Sequence, residues 1–341
     1  MIFVTGGTGL VGSHLLLELA RGGKKVRALK RASSDVGYVD AVFRHYAENA
    51  TEIANNIEWV EGDILDPSFL LTALEGVKYV YHCAAVVSFQ PSDREKIHRI
   101  NTDGTANIVN ASLQCKVKKL CYVSSIAALG RSEHKEFVDE TVGWKVSKDN
   151  SCYSISKFNA EREVWRGTAE GLDAVIVNPS IVIGFANPSK GSTKMFSTVW
   201  NGLNFYTPGM NGFVDVKDVV KVMVMLQESD IRNERFILNA TNVTFKAFFN
   251  KIADSLGKPR PRWKSTALLA EMAWRLDWLR SKILNREPLI TRQTVKAGMG
   301  NFKYSNAKIR KYTGVEFRDI DVSIKEVSDI FKKYYKDEVQ S

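Results

Sequence analysis

Over the first 180 residues, short apolar runs alternate with longer stretches of helical spacing. Residues 1–5, 26–29, 57–60, 79–82, 120–123 and 174–177 are rich in Val, Ile, Leu and Tyr and read as buried strands. Between them, residues 10–21, 67–74, 95–111 and 153–169 repeat apolar positions every three or four residues, as one helix face requires. The stretch 32–56 is longer than a usual connection. Val39, Val42, Phe43, Tyr46 and Ile53 share one face of a helix expected over 38–54. This alternation predicts an α/β fold, a doubly wound parallel sheet covered by helices on both faces.

After residue 180 the alternation fades, punctuated by Pro188, Pro208, Pro259, Pro261 and Pro288. Helices are expected over 217–228, 245–256, 267–284 and 322–336, with short strands at 213–216 and 235–238. Residues 1–180 therefore read as a sheet domain. Residues 181–341 read as a smaller, mostly helical lobe that binds substrate, with some exchange of chain between the two. The stretch 267–284 is strongly apolar, but Glu271, Arg275, Asp277, Arg280 and Lys282 interrupt it, which argues against a transmembrane span. It reads first as a lobe-packing helix, then as a lid over an apolar substrate, then as a membrane-surface contact.

Composition changes little. The 341 residues, 44% hydrophobic and 25% charged, are those of an ordinary globular protein with a large core. A strand that begins at residue 2 leaves no room for a signal peptide. Cys83, Cys115, Cys121 and Cys152 show no C-x-x-C spacing, so no metal site is expected and a cytoplasmic location fits. The net charge of +10 is concentrated late: residues 231–341 hold 23 Lys and Arg against 12 Asp and Glu, leaving 25 against 26 before them. No run of five or six basic residues occurs. The surplus reads as solvated helix surface, and nucleic acid is not an expected partner.

Chemistry enters at the first turn. Gly6-Gly7-Thr8-Gly9-Leu10-Val11-Gly12 stands between the first strand and an apolar helix. Glycines there allow a tight turn and close approach of backbone N–H groups to phosphate, and the helix dipole favours negative charge. That is a pyrophosphate site in its required context, and it makes the fold Rossmann-type. Tyr153 and Lys157 stand at i and i+4 on a helix, sharing one face. An ammonium beside a phenol favours the phenolate, which lets the tyrosine exchange a proton with a substrate oxygen. Ser124 and Ser125 end the strand at 120–123, on the edge where ligands of doubly wound sheets bind.

Together these residues resemble the extended short-chain dehydrogenase/reductase family, the epimerase/dehydratase superfamily, over nearly the whole chain. The resemblance implies a catalytic set of Ser125, Tyr153 and Lys157; counting back from Gly130 selects Ser125, with Ser124 the alternative. It implies cofactor contacts from Gly6, Thr8, Gly9, Leu10, Val11 and Gly12. Asp63 and Ile64 match the adenine segment, Cys83, Ala84 and Ala85 the turn after the fourth strand. Asn101 matches an asparagine near the nicotinamide ribose, and Pro179 and Ser180 the segment that lines the nicotinamide. Tyr153 and Lys157 would also touch the cofactor.

An acid about 20 residues past the glycines usually marks NAD. Here Lys30 takes that place and Arg31 follows, so NADP is expected, with NAD possible. Three readings of the chemistry remain. The first is a reductase or dehydrogenase interconverting carbonyl and alcohol on a small apolar molecule, resembling the dihydroflavonol-reductase and 3β-hydroxysteroid-dehydrogenase branches. The second is a nucleotide-sugar epimerase; the third is a noncatalytic cofactor-binding protein. Ile126-Ala127 after Ser125 departs from the Asp-Glu of sugar dehydratases, and Cys152-Tyr153-Ser154 from the Pro-Tyr-Gly of many sugar enzymes. Relatives often dimerise through helices beside the sheet, so a homodimer is one assembly open to the chain, although the sequence does not fix the oligomeric state.

Overall fold

Seven strands, all parallel, form the central sheet. The computed structural model describes residues 1–130, 136–148, 150–266, 269, 271, 272, 274–277, 280 and 291–340. In chain order the first half runs β1 (Ile2–Thr5), α1 (Leu10–Arg21), β2 (Val26–Lys30), α2 (Gly37–Tyr46), α3 (Ala50–Ala54), β3 (Ile57–Glu61), α4 (Pro67–Ala73) and β4 (Tyr79–His82). It continues through α5 (Arg94–His98), α6 (Gly104–Gln114), β5 (Lys119–Val123), α7 (Cys152–Ala169) and β6 (Ala174–Pro179). The second half runs β7 (Ile181–Ile183), α8 (Lys194–Trp200), β8 (Phe205–Tyr206), β9 (Met210–Asp215), α9 (Val216–Glu228), β10 (Glu234–Leu238) and β11 (Thr241–Thr244). Then follow α10 (Phe245–Leu256), β12 (Trp263–Lys264), α11 (Arg292–Met299), α12 (Ala307–Thr313) and α13 (Ile320–Gln340).

The sheet order is β10-β6-β5-β4-β1-β2-β3. The chain therefore reverses direction between β1 and β4, and the crevice at their carboxyl ends is the usual ligand position of such sheets. Apolar strand residues supply both faces. Leu15 and Leu16 of α1, Val42 and Phe43 of α2 and Met223 of α9 cover one face; Leu70 of α4, Ile108 of α6 and Val164 of α7 cover the other. A separate core of Phe196, Phe213, Phe248, Ile324 and Phe331 holds the smaller lobe, with Phe213 stacked on Phe248 at 4.2 Å.

Three sequence expectations change. The helix expected over 38–54 is two helices, because Ala47 turns extended (φ −144°, ψ 136°) after α2; Val39, Val42, Phe43 and Ile53 still face the core. The helix expected over 95–111 is interrupted by a π-helical turn, Arg99–Asp103, between α5 and α6. The strand expected at 235–238 in the smaller lobe instead completes the main sheet against β6, because α9 carries the chain back across it. Of the helix expected over 267–284, most residues, Trp278 among them, lie outside the described ones. Leu269, Met272 and Leu276 are exposed, as is Trp263 in β12, so that tryptophan is not part of the lobe core. Among the described residues no helix is long and apolar enough to cross a membrane.

Two histidines are buried uncharged. His14 Nε2 lies 2.9 Å from the Phe185 carbonyl, and burial lowers its pKa to about 4. His82 sits between Thr5 and Thr105, and burial, with the Lys157 charge adding to it, lowers its pKa to about 3. In the unfolded chain both titrate near pH 6.5, roughly the reference value. Between pH 6.5 and about 4 the unfolded chain therefore binds protons that the fold excludes, and stability falls with pH by about 1.4 kcal/mol per unit for each ring. Thermal melts at pH 7 and 5.5 should show a lower midpoint at the acid pH; equal midpoints would contradict the assignment.

Candidate active site

The glycine turn lies at the sheet crevice, and its glycines have different reasons to be there. Gly6 has φ +70°, and a Cβ would stand 2.6 Å from Ala84 N and Cys83 C. At Gly12 a Cβ would stand 2.1 Å from Gly6 O, so α1 packs directly on the turn. Gly9 is different: it is exposed, and a Cβ would meet only Gly6 O, at 3.3 Å. The start of α1 has no side-chain cap and no acidic residue in its first turn. An open helix N-terminus beside a bare glycine fits the pyrophosphate of a dinucleotide. Gly6, Thr8, Gly9, Leu10, Val11 and Gly12 would hold it.

The neighbouring segments are tied to that turn. Thr5 Oγ1 lies 2.7 Å from His82 Nδ1 and accepts the Ala84 N–H at 3.2 Å, so residues 83–85 border Gly6. Asn101, in the π-turn, accepts from Val86 N at 2.7 Å and donates to Val86 O and Ser156 Oγ at 2.9 and 3.0 Å. Its amide thus braces the 84–86 turn against α7. Asp63 is exposed and takes the Leu65 N–H at 3.0 Å, while Ile64 is buried over Gly104. Pro179 ends β6, and Ser180 donates to the Leu238 carbonyl at 3.2 Å. At the end of β2, Lys30 Nζ stands 3.9 Å from Glu61 Oε2, and Arg31 is exposed in a turn closed by its N–H to Ser34 Oγ.

Tyr153 and Lys157 occupy the first turns of α7, whose cap Ser151 accepts the Ser154 N–H at 3.0 Å. Lys157 is 1% exposed, and its ammonium donates to Tyr122 Oη at 2.7 Å and Val123 O at 2.8 Å. Burial lowers its pKa to about 7, opposed by the negative charge of Glu161. Tyr153 is half-buried and edge-on to Phe89 at 6.0 Å. Burial raises its pKa above the usual tyrosine value, and the neighbouring Ser125 side chain partly reverses this. The expected depression by the lysine is not seen, because Lys157 turns its charge inward to Tyr122. Ser125 Oγ accepts the Ala127 N–H at 3.1 Å, which leaves its proton for Tyr153. Ser124 is instead buried and donates to Glu161 at 2.8 Å. The geometry separates the two serines: one faces the tyrosine, the other the interior.

Sequence reasoning passed over Tyr122, Thr105 and Glu161. The last had a signal. Glu161 follows Lys157 by four residues on the buried stripe Ser156, Lys157, Ala160, Glu161, Val164, and a carboxylate on such a stripe needs partners. An open cavity of about 460 Å³ lies behind the helix, bordered by Arg94, His98, Arg99 and Cys152. Ser125, Tyr153 and Lys157 do not line it.

Comparison with known proteins agrees with this geometry. Residues 2–239 match the model of the NAD-dependent epimerase/dehydratase family. A sterol demethylase protein B of Methylococcus capsulatus is 30% identical, over 76% of this chain and 75% of its own. A putative dihydroflavonol 4-reductase of Synechocystis is 28% identical, over 97% of this chain and 94% of its own. Among solved structures, that of gox2253 superposes with a TM-score of 0.79 at 29% identity, covering 98% of both chains. A glycine turn at the β1–β4 crevice, a Tyr-Lys pair on the helix after β5 and a family match over most of the chain lead to one conclusion: this protein belongs to the NAD-dependent epimerase/dehydratase family, within the extended short-chain dehydrogenases/reductases.

Proposed function

We propose that the protein is an NADP-preferring oxidoreductase that interconverts a carbonyl and an alcohol on a small apolar molecule. The observation that carries this reading is that the helix bearing Tyr153 and the buried Lys157 packs at the end of β5, where Lys157 bonds the Val123 carbonyl and Ser125 stands beside Tyr153, on the sheet that holds the glycine turn. When bound, the reduced nicotinamide supplies hydride. Tyr153 remains protonated at neutral pH, since burial raises its pKa, and so is prepared to donate a proton to the substrate oxygen. Ser125 orients that oxygen through its hydroxyl. Two of the three Lys157 donors are fixed on Tyr122 and Val123, leaving one for a cofactor hydroxyl. Relatives named for sterol demethylation and dihydroflavonol reduction support an apolar carbonyl substrate.

NADPH consumption should be seen with some member of a panel of ketosteroids, dihydroflavonols and cyclic ketones. A panel of nucleotide sugars should return unaltered. Epimerised sugar, with no ketone consumed, would replace this reading with the epimerase one.

The cofactor preference rests on Lys30 and Arg31. Charge-assisted contacts to a 2′-phosphate contribute about 1.5–3 kcal/mol each. Lys30→Ala with Arg31→Ala should therefore raise the NADPH Kd roughly 100-fold or more and leave the NADH Kd nearly unchanged. Equal losses for both cofactors would remove the phosphate role from these side chains.

A further inference from the structure

Glu161 stands one helical turn beyond Lys157 and two beyond Tyr153, and is 2% exposed. Its partners come from the end of β5, from β6 and from β10. Oε2 accepts from Ser124 Oγ at 2.8 Å and from Asn178 Nδ2 at 3.0 Å, and Oε1 accepts from Arg235 Nη1 at 2.9 Å. The Asn178 amide also donates to the Ser125 carbonyl at 3.0 Å. The backbone that presents Ser125 is thus tied to one carboxylate twice, by the Ser124 hydroxyl directly and by Asn178 as a bridge. The same carboxylate lies on the helix that carries Tyr153 and Lys157. We propose that Glu161 is a positioning residue of this site, holding the Ser125 backbone against α7.

Arg235 of β10 completes the set: its guanidinium donates to Glu161 Oε1 at 2.9 Å and to the Glu140 carbonyl at 2.6 Å. The carboxylate is thus held by three donors from three strand segments, two of which also border Ser125.

This inference rests on the reading of the site as a Tyr-Lys oxidoreductase centre, and its test separates the two. Ser124→Ala removes one anchor and no charge, and Glu161→Gln turns an acceptor of three donors into an amide. With the ketone that the panel identifies, both should lower kcat several-fold while the substrate KM and the NADPH Kd, read by nicotinamide fluorescence, stay close to the parent's. Because the glutamine would place an NH2 against one of those donors, the double variant Glu161→Gln, Arg235→Gln serves if the single one does not fold. A parental kcat in folded Ser124→Ala and Glu161→Gln would overturn the proposal, and so would a loss of kcat matched by an equal loss of cofactor affinity, which marks a merely structural role. If nucleotide sugar is epimerised and no ketone is reduced, the proposed reaction fails; a several-fold lower kcat of the same variants on that sugar would leave the role of Glu161 standing.

Discussion

Tyr153→Phe is expected to lower kcat by about 10²- to 10⁴-fold, the range lost when a positioned proton donor is removed. The substitution takes away one hydroxyl and keeps the ring. Its edge-on contact with Phe89 remains, and the hydroxyl lost has Ser125 as its polar neighbour. Neither loss threatens the core, since Tyr153 is half-buried on the first turn of α7. The thermal midpoint and the NADPH Kd should therefore stay close to those of the parent. That combination distinguishes a missing proton from a damaged site. A variant that reduces the same ketone at the parental rate would exclude Tyr153 as the donor, and with it the proposed mechanism. Ser125→Ala should act in the same direction but more weakly, because Tyr153 keeps its own proton.

What the sequence revealed, and what it hid, divides along physical lines. Strand periods placed the six strands of the first half within a residue or two, because each is a short, mostly apolar run set between helical stretches. The glycine turn was legible because its requirement is steric and local: Gly6 and Gly12 each face backbone that a Cβ would enter. Tyr153 and Lys157 were legible because i and i+4 on a helix fixes their relation. Partners that meet only through the fold were not. Tyr122 comes to Lys157 from another element, and Arg235 comes to Glu161 from a strand 74 positions away. The expectation that Lys157 would acidify Tyr153 failed for the same reason. Spacing along a helix gives no direction for a four-carbon side chain, and the ammonium found the Tyr122 hydroxyl and the Val123 carbonyl. The π-turn at Asn101 was likewise hidden, since one extra residue in a helix leaves the apolar pattern nearly intact.

Gly12→Ala and Gly9→Ala should both abolish tight NADPH binding, and they should do so by different routes. At Gly12 the added methyl would overlap Gly6 O at 2.1 Å, Gly6 C at 2.7 Å and Gly7 Cα at 2.9 Å. All three are backbone atoms, so no rotamer change relieves the clash and α1 must move away from the turn. Overpacking of this kind costs about 1–3 kcal/mol, which lowers the melting midpoint by a few degrees in a chain this long. The displaced helix takes its open N-terminus with it, and NADPH affinity should fall by roughly 100-fold. At Gly9 the methyl would meet only Gly6 O, at 3.3 Å, and then project into the space beside that N-terminus. The fold should accept it with little change in melting midpoint. The phosphate should not, because the methyl stands where the backbone must approach it, and the loss of affinity should match that of Gly12→Ala. Binding of NADPH by Gly9→Ala as tightly as by the parent would show that the pyrophosphate does not rest on this glycine. The contrast between the two positions thus separates the glycine that builds the turn from the glycine that serves the ligand.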